Sequence, residues 1–228
     1  MPGSDAIERF ATAIGPRSDE VLTEMHRRAA ETDFPTVGPA VGGWLQLLAG
    51  FVGAERVFEF GSGFGYSAYW FARALPSDGE IVLTEIDADE LQSARGYLDR
   101  GGYADRARFE LGDAIETIDR YEGPFDVVLI DNEKERYVEA FEAVRSKIPV
   151  GGAVVADNAM EGPFEFETIR RLFVDDERPS GIDESDADLH LDSAQGVVAY
   201  LERLRSTESF ETVLLPLGEG LVVSRRVQ

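Results

Sequence analysis

The chain of 228 residues has no cysteine. Disulfides and thiolate metal sites are therefore excluded. Histidine is nearly missing too. His26 and His190 stand far apart without ligand spacing, which argues against a zinc site. Long apolar runs are absent. The longest, Ala40 to Ala54, is interrupted by Gln46 and falls short of the roughly 20 residues a membrane helix needs. The first ten residues, Met1 to Phe10, carry acidic groups and no apolar core, so no secretory signal is expected. These absences predict a soluble, cytoplasmic protein. Positive charge is scarce: 22 Lys and Arg face 44 Asp and Glu, a net charge of −22. That opposes non-specific nucleic-acid binding, which needs a basic footprint. Only Lys134 and Lys147 are lysines. Acid excess with so little lysine resembles proteins of salt-loving organisms, where salt screens the self-repulsion. An acidic face that recruits a basic partner is the other reading.

What is present is organised around Val57 to Tyr66. Apolar, β-prone residues run into glycine at every second position, Gly61, Gly63 and Gly65, and a helical run follows. This spacing predicts strand, tight turn, helix. Glycine tolerates positive φ and lets a ligand lie on the backbone, and the new helix offers free N–H groups. An ordinary β–α turn would look similar. The dinucleotide fingerprint needs a further glycine where Tyr66 stands. The next strand ends at Glu85, whose carboxylate can accept both hydroxyls of a ribose. A nucleoside without a pyrophosphate suits both facts, and S-adenosylmethionine is such a ligand.

Apolar spacing predicts N-terminal helices over 4–14 and 18–31, with Ser18 as cap, and a third from Pro39 to about Gly50. Strands are expected at 56–60, 80–84, 107–111, 126–130, 153–156, 212–215 and 221–224. Helices are expected at 66–75, 88–101, 114–120, 134–147, 164–173 and 194–205. Such alternation makes an α/β fold with a mostly parallel sheet and helices on both faces. Only Pro216 to Gly220 join the last two strands, too short a link for a parallel crossover, so they form an antiparallel hairpin. A single domain over 1–228 is expected, with N-terminal helices in 1–50 and a Rossmann-like core in 51–228. Val174 to Ser193, rich in Asp and Glu, reads as a solvated loop or as a lid over the substrate.

Three strand ends carry chemistry. The third ends at Gly112-Asp113-Ala114, where Asp113 could take an adenine amino group. The fourth ends at Asp131 and the fifth at Asp157-Asn158. Neighbouring strands lie about 4.8 Å apart, so these residues can reach one ion. Three oxygen ligands, two of them charged, suit Mg²⁺. A lone Asp after a strand is usually a helix cap. Two charged ends with an adjacent Asn are harder to read that way. Lys134 follows Asp131 by three residues, at a helix start where cations are disfavoured. A neighbouring metal would favour its neutral form, and it could then take a proton from a hydroxyl.

These residues resemble the cation-dependent, S-adenosylmethionine-dependent O-methyltransferases of the catechol and caffeoyl-CoA type. The likeness spans roughly Val37 to Ser224. It rests on Glu59-Phe60-Gly61 with Gly65-Tyr66-Ser67, on Glu85, and on Gly112-Asp113-Ala114. It continues through Asp131, Lys134 and Tyr137, through Gly151-Gly152 and Asp157-Asn158, and through Leu215-Pro216-Leu217-Gly218 with Gly220-Leu221. The resemblance implies the class I methyltransferase fold with a seven-stranded sheet. It implies a cofactor site at Glu59, Gly61, Gly63, Gly65 and Ser67 for the methionine end, Glu85 for the ribose, and Asp113 with Ala114 for the adenine. Asp131 borders both cofactor and metal. The resemblance implies Mg²⁺ at Asp131, Asp157 and Asn158, Lys134 as general base, and a homodimer. The chain departs from the pattern at Gly63 and Phe64, at Glu161, where many relatives have an aromatic, and in the acidic 174–193 stretch. The last two regions line the substrate in relatives, so the acceptor does not follow from the resemblance.

The expected reaction is Mg²⁺-dependent methyl transfer to a hydroxyl of a small vicinal-diol or catechol-like acceptor. One alternative is methylation of a hydroxylated uridine in tRNA, for which Arg170, Arg171, Arg203 and Arg205 are the candidate basic patch. Another is a S-adenosylmethionine- or nucleotide-binding regulator without turnover, against which the intact acidic set and Lys134 count. A NAD dehydrogenase is disfavoured by Tyr66.

Overall fold

A computed structural model describes residues 4–175 and 187–228 of the chain. Three helices come first: α1 (Ser4–Ile14), α2 (Glu20–Thr32) and α3 (Gly38–Val52). The alternating part follows as β1 (Arg56–Phe60), α4 (Tyr66–Ala74), β2 (Glu80–Glu85), α5 (Ala88–Arg100), β3 (Ala107–Leu111), α6 (Ala114–Ile118) and β4 (Val127–Ile130). It ends with α7 (Tyr137–Val144), β5 (Ala153–Ala156), α8 (Phe166–Phe173), α9 (Ala187–Arg205), β6 (Phe210–Leu215) and β7 (Leu221–Arg226). The seven strands form one sheet in the order β3-β2-β1-β4-β5-β7-β6. All pairs are parallel except β5–β7 and β6–β7.

Alternate residues of each strand enter opposite cores. Val57, Leu83, Leu129 and Val155 pack under α2 to α5. Phe58, Val82, Val128 and Val154 pack under α6, α7 and α9. The central strands β4 and β5 are buried along their whole length, as a sheet covered on both faces requires. The order of strands reverses between β1 and β4, which pair in register from Val57↔Val127 to Phe60↔Ile130. Such a reversal opens a crevice at the carboxyl ends.

Several element ends differ from the sequence reading. Asp19, not Ser18, caps α2, its Oδ1 accepting from Leu22 N at 2.9 Å. The expected 134–147 helix is a 3-10 turn at Lys134–Arg136, then α7, then a 3-10 turn at Arg145–Lys147. Helix α8 starts two residues late, at Phe166, and α6 stops at Ile118. Strand β6 starts earlier, at Phe210, because that ring is buried 5.3 Å from Phe141. Helix α9 begins at Ala187 rather than Ala194, so the acidic stretch is helical at its end. Its residues 176–186 lie outside the described residues. No helix among the described residues is long and apolar enough to cross a membrane.

Candidate functional site

The turn after β1 folds tightly over the end of β4. Gly61 has φ +77, and a Cβ there would lie 2.6 Å from the Asp131 carbonyl oxygen. Only glycine admits both the conformation and the approach. Glu85, at the end of β2, ties this turn down: its Oε2 accepts from Gly63 N at 2.7 Å. Its Oε1 accepts from Ile86 N at 2.8 Å and Asp87 N at 3.0 Å. A carboxylate offers about four acceptor sites. One is left, so Glu85 can take a second ribose hydroxyl only when the Gly63 contact opens.

Behind the turn, Glu59 is fully buried on β1. Its Oε1 accepts a short hydrogen bond from Ser67 Oγ, and its Oε2 has no partner. Burial pushes this carboxyl up to about 8, with Asp131 and Glu85 adding to the rise and Ser67 opposing it. An orphaned buried acceptor beside Ser67 fits an ammonium group.

Two cavities meet at Gly61, Glu85 and Asp131, which line both. The smaller, about 280 Å³, is walled by Ile86, Asp113, Ala114, Glu133 and Arg136. Asp113 caps α6 through Ile115 N at 2.7 Å and also meets Arg136 Nη1 at 2.6 Å. The Arg136 guanidinium holds its carboxyl below the usual carboxylate range, against the effect of burial. One lone pair of Asp113 Oδ2 is free for an adenine amino group. Arg136 was not foreseen; its place five residues after Asp131, in the same short turn as Lys134, was the available signal.

The larger cavity, about 520 Å³, contains Ser67, Asp131, Lys134, Asp157, Asn158 and Glu219, with Phe34, Pro35, Thr36, Val37 and Pro163 on its apolar side. Strands β4 and β5 are paired up to Ile130↔Ala156, so Asp131 and Asp157 leave the sheet side by side. Asp157 is buried and its Oδ1 has no partner. Burial first, and then Asp131, push its carboxyl up to about 7. Burial raises Asp131 as well, and Lys134 opposes the rise. Lys134 Nζ donates to Asp131 Oδ1 at 3.0 Å and lies 5.0 Å from the Tyr137 ring centroid. Tyr137 in turn donates from its hydroxyl to Asp157 O at 3.2 Å.

Among the described residues no three His, Cys, Asp or Glu side chains are placed to hold a metal. The foreseen set holds only two carboxylates, and its third member is an amide. Its fit to a cation rests instead on the orphaned Asp157 Oδ1 and on the excess of acid: four carboxyl groups line the cavity against one lysine. Of the arginines considered for a nucleic-acid patch, Arg170 is paired with Glu167 and Asp175, both at 2.8 Å, and Arg203 with Glu142. None of the four lines either cavity. Glu219 and the Phe34–Val37 wall were missed by sequence reasoning. An acid between two glycines in so short a hairpin was the signal for the first.

Parallel strands that reverse order at a glycine turn, closed by an antiparallel β6–β7 hairpin, define the class I methyltransferase fold. A model of the O-methyltransferase family matches residues 13–227, and the chain belongs to that family. It is 32% identical over 163 residues to a catechol O-methyltransferase of Niastella koreensis, covering 68% of this chain and 73% of that one. It is 25% identical over 237 residues to caffeoyl-CoA O-methyltransferase 3 of Nicotiana tabacum, covering 98% and 91%. In structure it is similar to the O-methyltransferase TomG of Streptomyces achromogenes, solved in complex with SAM, with TM-score 0.81, 24% identity and full coverage of both chains.

Proposed function

We propose that the chain transfers a methyl group from S-adenosylmethionine to a hydroxyl of a small vicinal-diol or catechol-like acceptor, with Mg²⁺ or another divalent cation. The observation that carries this reading is the unpartnered, buried Asp157 Oδ1 beside Asp131, Asn158 and Lys134 in a cavity that meets the Glu85 crevice. S-adenosylmethionine carries one net positive charge. Together with a dication it would offset the acid excess of the cavity. When bound, the cofactor supplies the methyl group and the cation polarises a hydroxyl.

The chain's own residues do the rest. Glu59 Oε2 and Ser67 would meet the methionine ammonium, Glu85 the ribose, and Asp113 with Ala114 the adenine. Asp131, Asp157 and the Asn158 amide oxygen would hold the cation. Lys134 Nζ would accept the acceptor's proton; its present donation to Asp131 holds it at the cavity wall. The apolar wall of Phe34, Pro35 and Val37 would exclude water from the acceptor. The names of the catechol and caffeoyl-CoA relatives agree with a diol acceptor. Among the described residues no arginine lines the cavity to meet the phosphates of a CoA thioester, which favours the smaller acceptor.

Two substitutions separate the roles. Asp157→Ala should lose Mn²⁺ binding in titration calorimetry and keep S-adenosylmethionine binding. Lys134→Ala should bind both and lose about 10²–10⁴-fold in rate, the usual worth of a general base. An Asp157→Ala protein with unchanged Mn²⁺ affinity, or a Lys134→Ala enzyme with full rate at neutral pH, would remove that residue from its role.

We also propose a homodimer. Ile7, Phe10 and Ile14 form an exposed stripe on α1, Phe51 on α3 is 84% exposed, and β6 is an edge strand bearing exposed Val213 and Leu214. Exposed apolar stripes and open edges favour association. Light scattering should give twice the chain mass at micromolar concentration; the mass of one chain would end the proposal.

A further inference from the structure

The hairpin between β6 and β7 closes over the end of β5. Ala159 N donates to Gly220 O at 2.9 Å, and Met160 N and Glu161 N donate to Glu219 O at 2.8 and 2.9 Å. Gly220 has φ +95, and a Cβ there would lie 2.6 Å from Met160 Cγ. The hairpin tip is thus fixed against the segment that carries Asn158. From that tip the Glu219 side chain lines the larger cavity, where its Oε2 accepts a short hydrogen bond from Asn158 Nδ2. Asn158 itself has φ +55, a left-handed conformation that asparagine tolerates better than most residues.

An ionised carboxylate only accepts hydrogen bonds. It therefore decides which end of the Asn158 amide it meets. The NH₂ turns to Glu219, and the amide oxygen is left for the cavity. Only that oxygen can ligate a hard dication. Turned the other way, the amide would present two N–H groups to the same position and repel the ion.

We propose that Glu219 is a positioning residue for the cation: it holds the Asn158 amide with its oxygen available beside Asp131 and Asp157. This rests on the cation reading above. Glu219 acts through Asn158 and is not itself a ligand. Partners that orient a metal ligand typically contribute 10–100-fold to affinity.

The test is Mn²⁺ titration calorimetry on the whole protein, with S-adenosylhomocysteine affinity as the check that each variant is folded. Glu219→Ala should weaken Mn²⁺ by about 10–100-fold. Glu219→Gln should keep most of the affinity, because its amide oxygen still accepts from Asn158. In an Asn158→Asp background both side-chain oxygens can ligate, so adding Glu219→Ala should cost nothing further. A Glu219→Ala protein with wild-type Mn²⁺ affinity would overturn the proposal. So would an equal loss in Glu219→Gln, or a loss that persists in the Asn158→Asp background; either would make Glu219 a ligand or a bulk charge. A wild type that takes up no Mn²⁺ would instead sink the cation reading.

Discussion

Glu59 is buried and only half satisfied: one oxygen accepts a hydrogen bond from Ser67 and the other accepts none. Its carboxyl is raised from 4.5 to about 8, mainly by burial. For an acid raised in the fold, the charged form is the disfavoured one. Below pH 4.5 the folded and unfolded states are both protonated at this site and no cost appears. Between 4.5 and about 8 the unfolded state ionises first, and stability falls as pH rises. Glu59→Gln removes that slope. The melting temperature of the wild type should therefore fall relative to Glu59→Gln between pH 5 and 8, and S-adenosylmethionine should flatten the difference by placing its ammonium on Oε2. Parallel melting curves for the two proteins across that range would show that Glu59 is solvated or already paired. Asp131 and Asp157 were readable because each ends an apolar strand, and Lys134 because it follows Asp131 by three residues; Glu59, inside β1, came only through the family resemblance. The contact of Glu219 with Asn158 was not, since it joins residues 61 apart in sequence through a hairpin whose seating no local pattern encodes.

At the scale of elements, the strands and their glycine turn were legible because continuous apolar, β-prone runs and glycine spacing are local properties. Element ends were less so. The start of α9 was hidden by an acidic run that reads as loop, and β6 was shortened because Phe210 earns its place by packing on Phe141 across the chain. The turn at Gly61 makes a sharp prediction. Gly61→Ala combines φ +77 with a 2.6 Å approach to the Asp131 carbonyl, and should destabilise the fold by about 1–3 kcal/mol, the range for a strained backbone. Gly96→Ala is the control: Gly96 lies inside α5 with open space around its Cβ position. It should stabilise by about 0.5–1 kcal/mol, because alanine is the better helix former. Chemical denaturation of both variants measures this. Equal effects of the two changes would mean that the turn relaxes at no cost.

For the whole molecule, a net charge of −22 is a property of the sequence and needed no structure to read. Many of the arginines are spent on individual acids, such as Arg28 on Glu90 and Arg100 on Glu24, and such exposed or half-exposed pairs contribute little each. Most of the acid excess therefore faces solvent, where added salt screens it over about 10 Å at 0.1 M and about 3 Å at 1 M. The melting temperature is expected to rise with KCl up to molar concentration. A melting temperature independent of KCl would contradict the salt-adapted reading.

The proposed cation-dependent methyl transfer is open to a single assay. Initial rates of S-adenosylhomocysteine formation are measured with a simple catechol, in high salt, with Mg²⁺ and with excess chelator. Turnover is expected to require both catechol and Mg²⁺, to stop in chelator and to return when Mg²⁺ is restored. Undiminished turnover in chelator would contradict it.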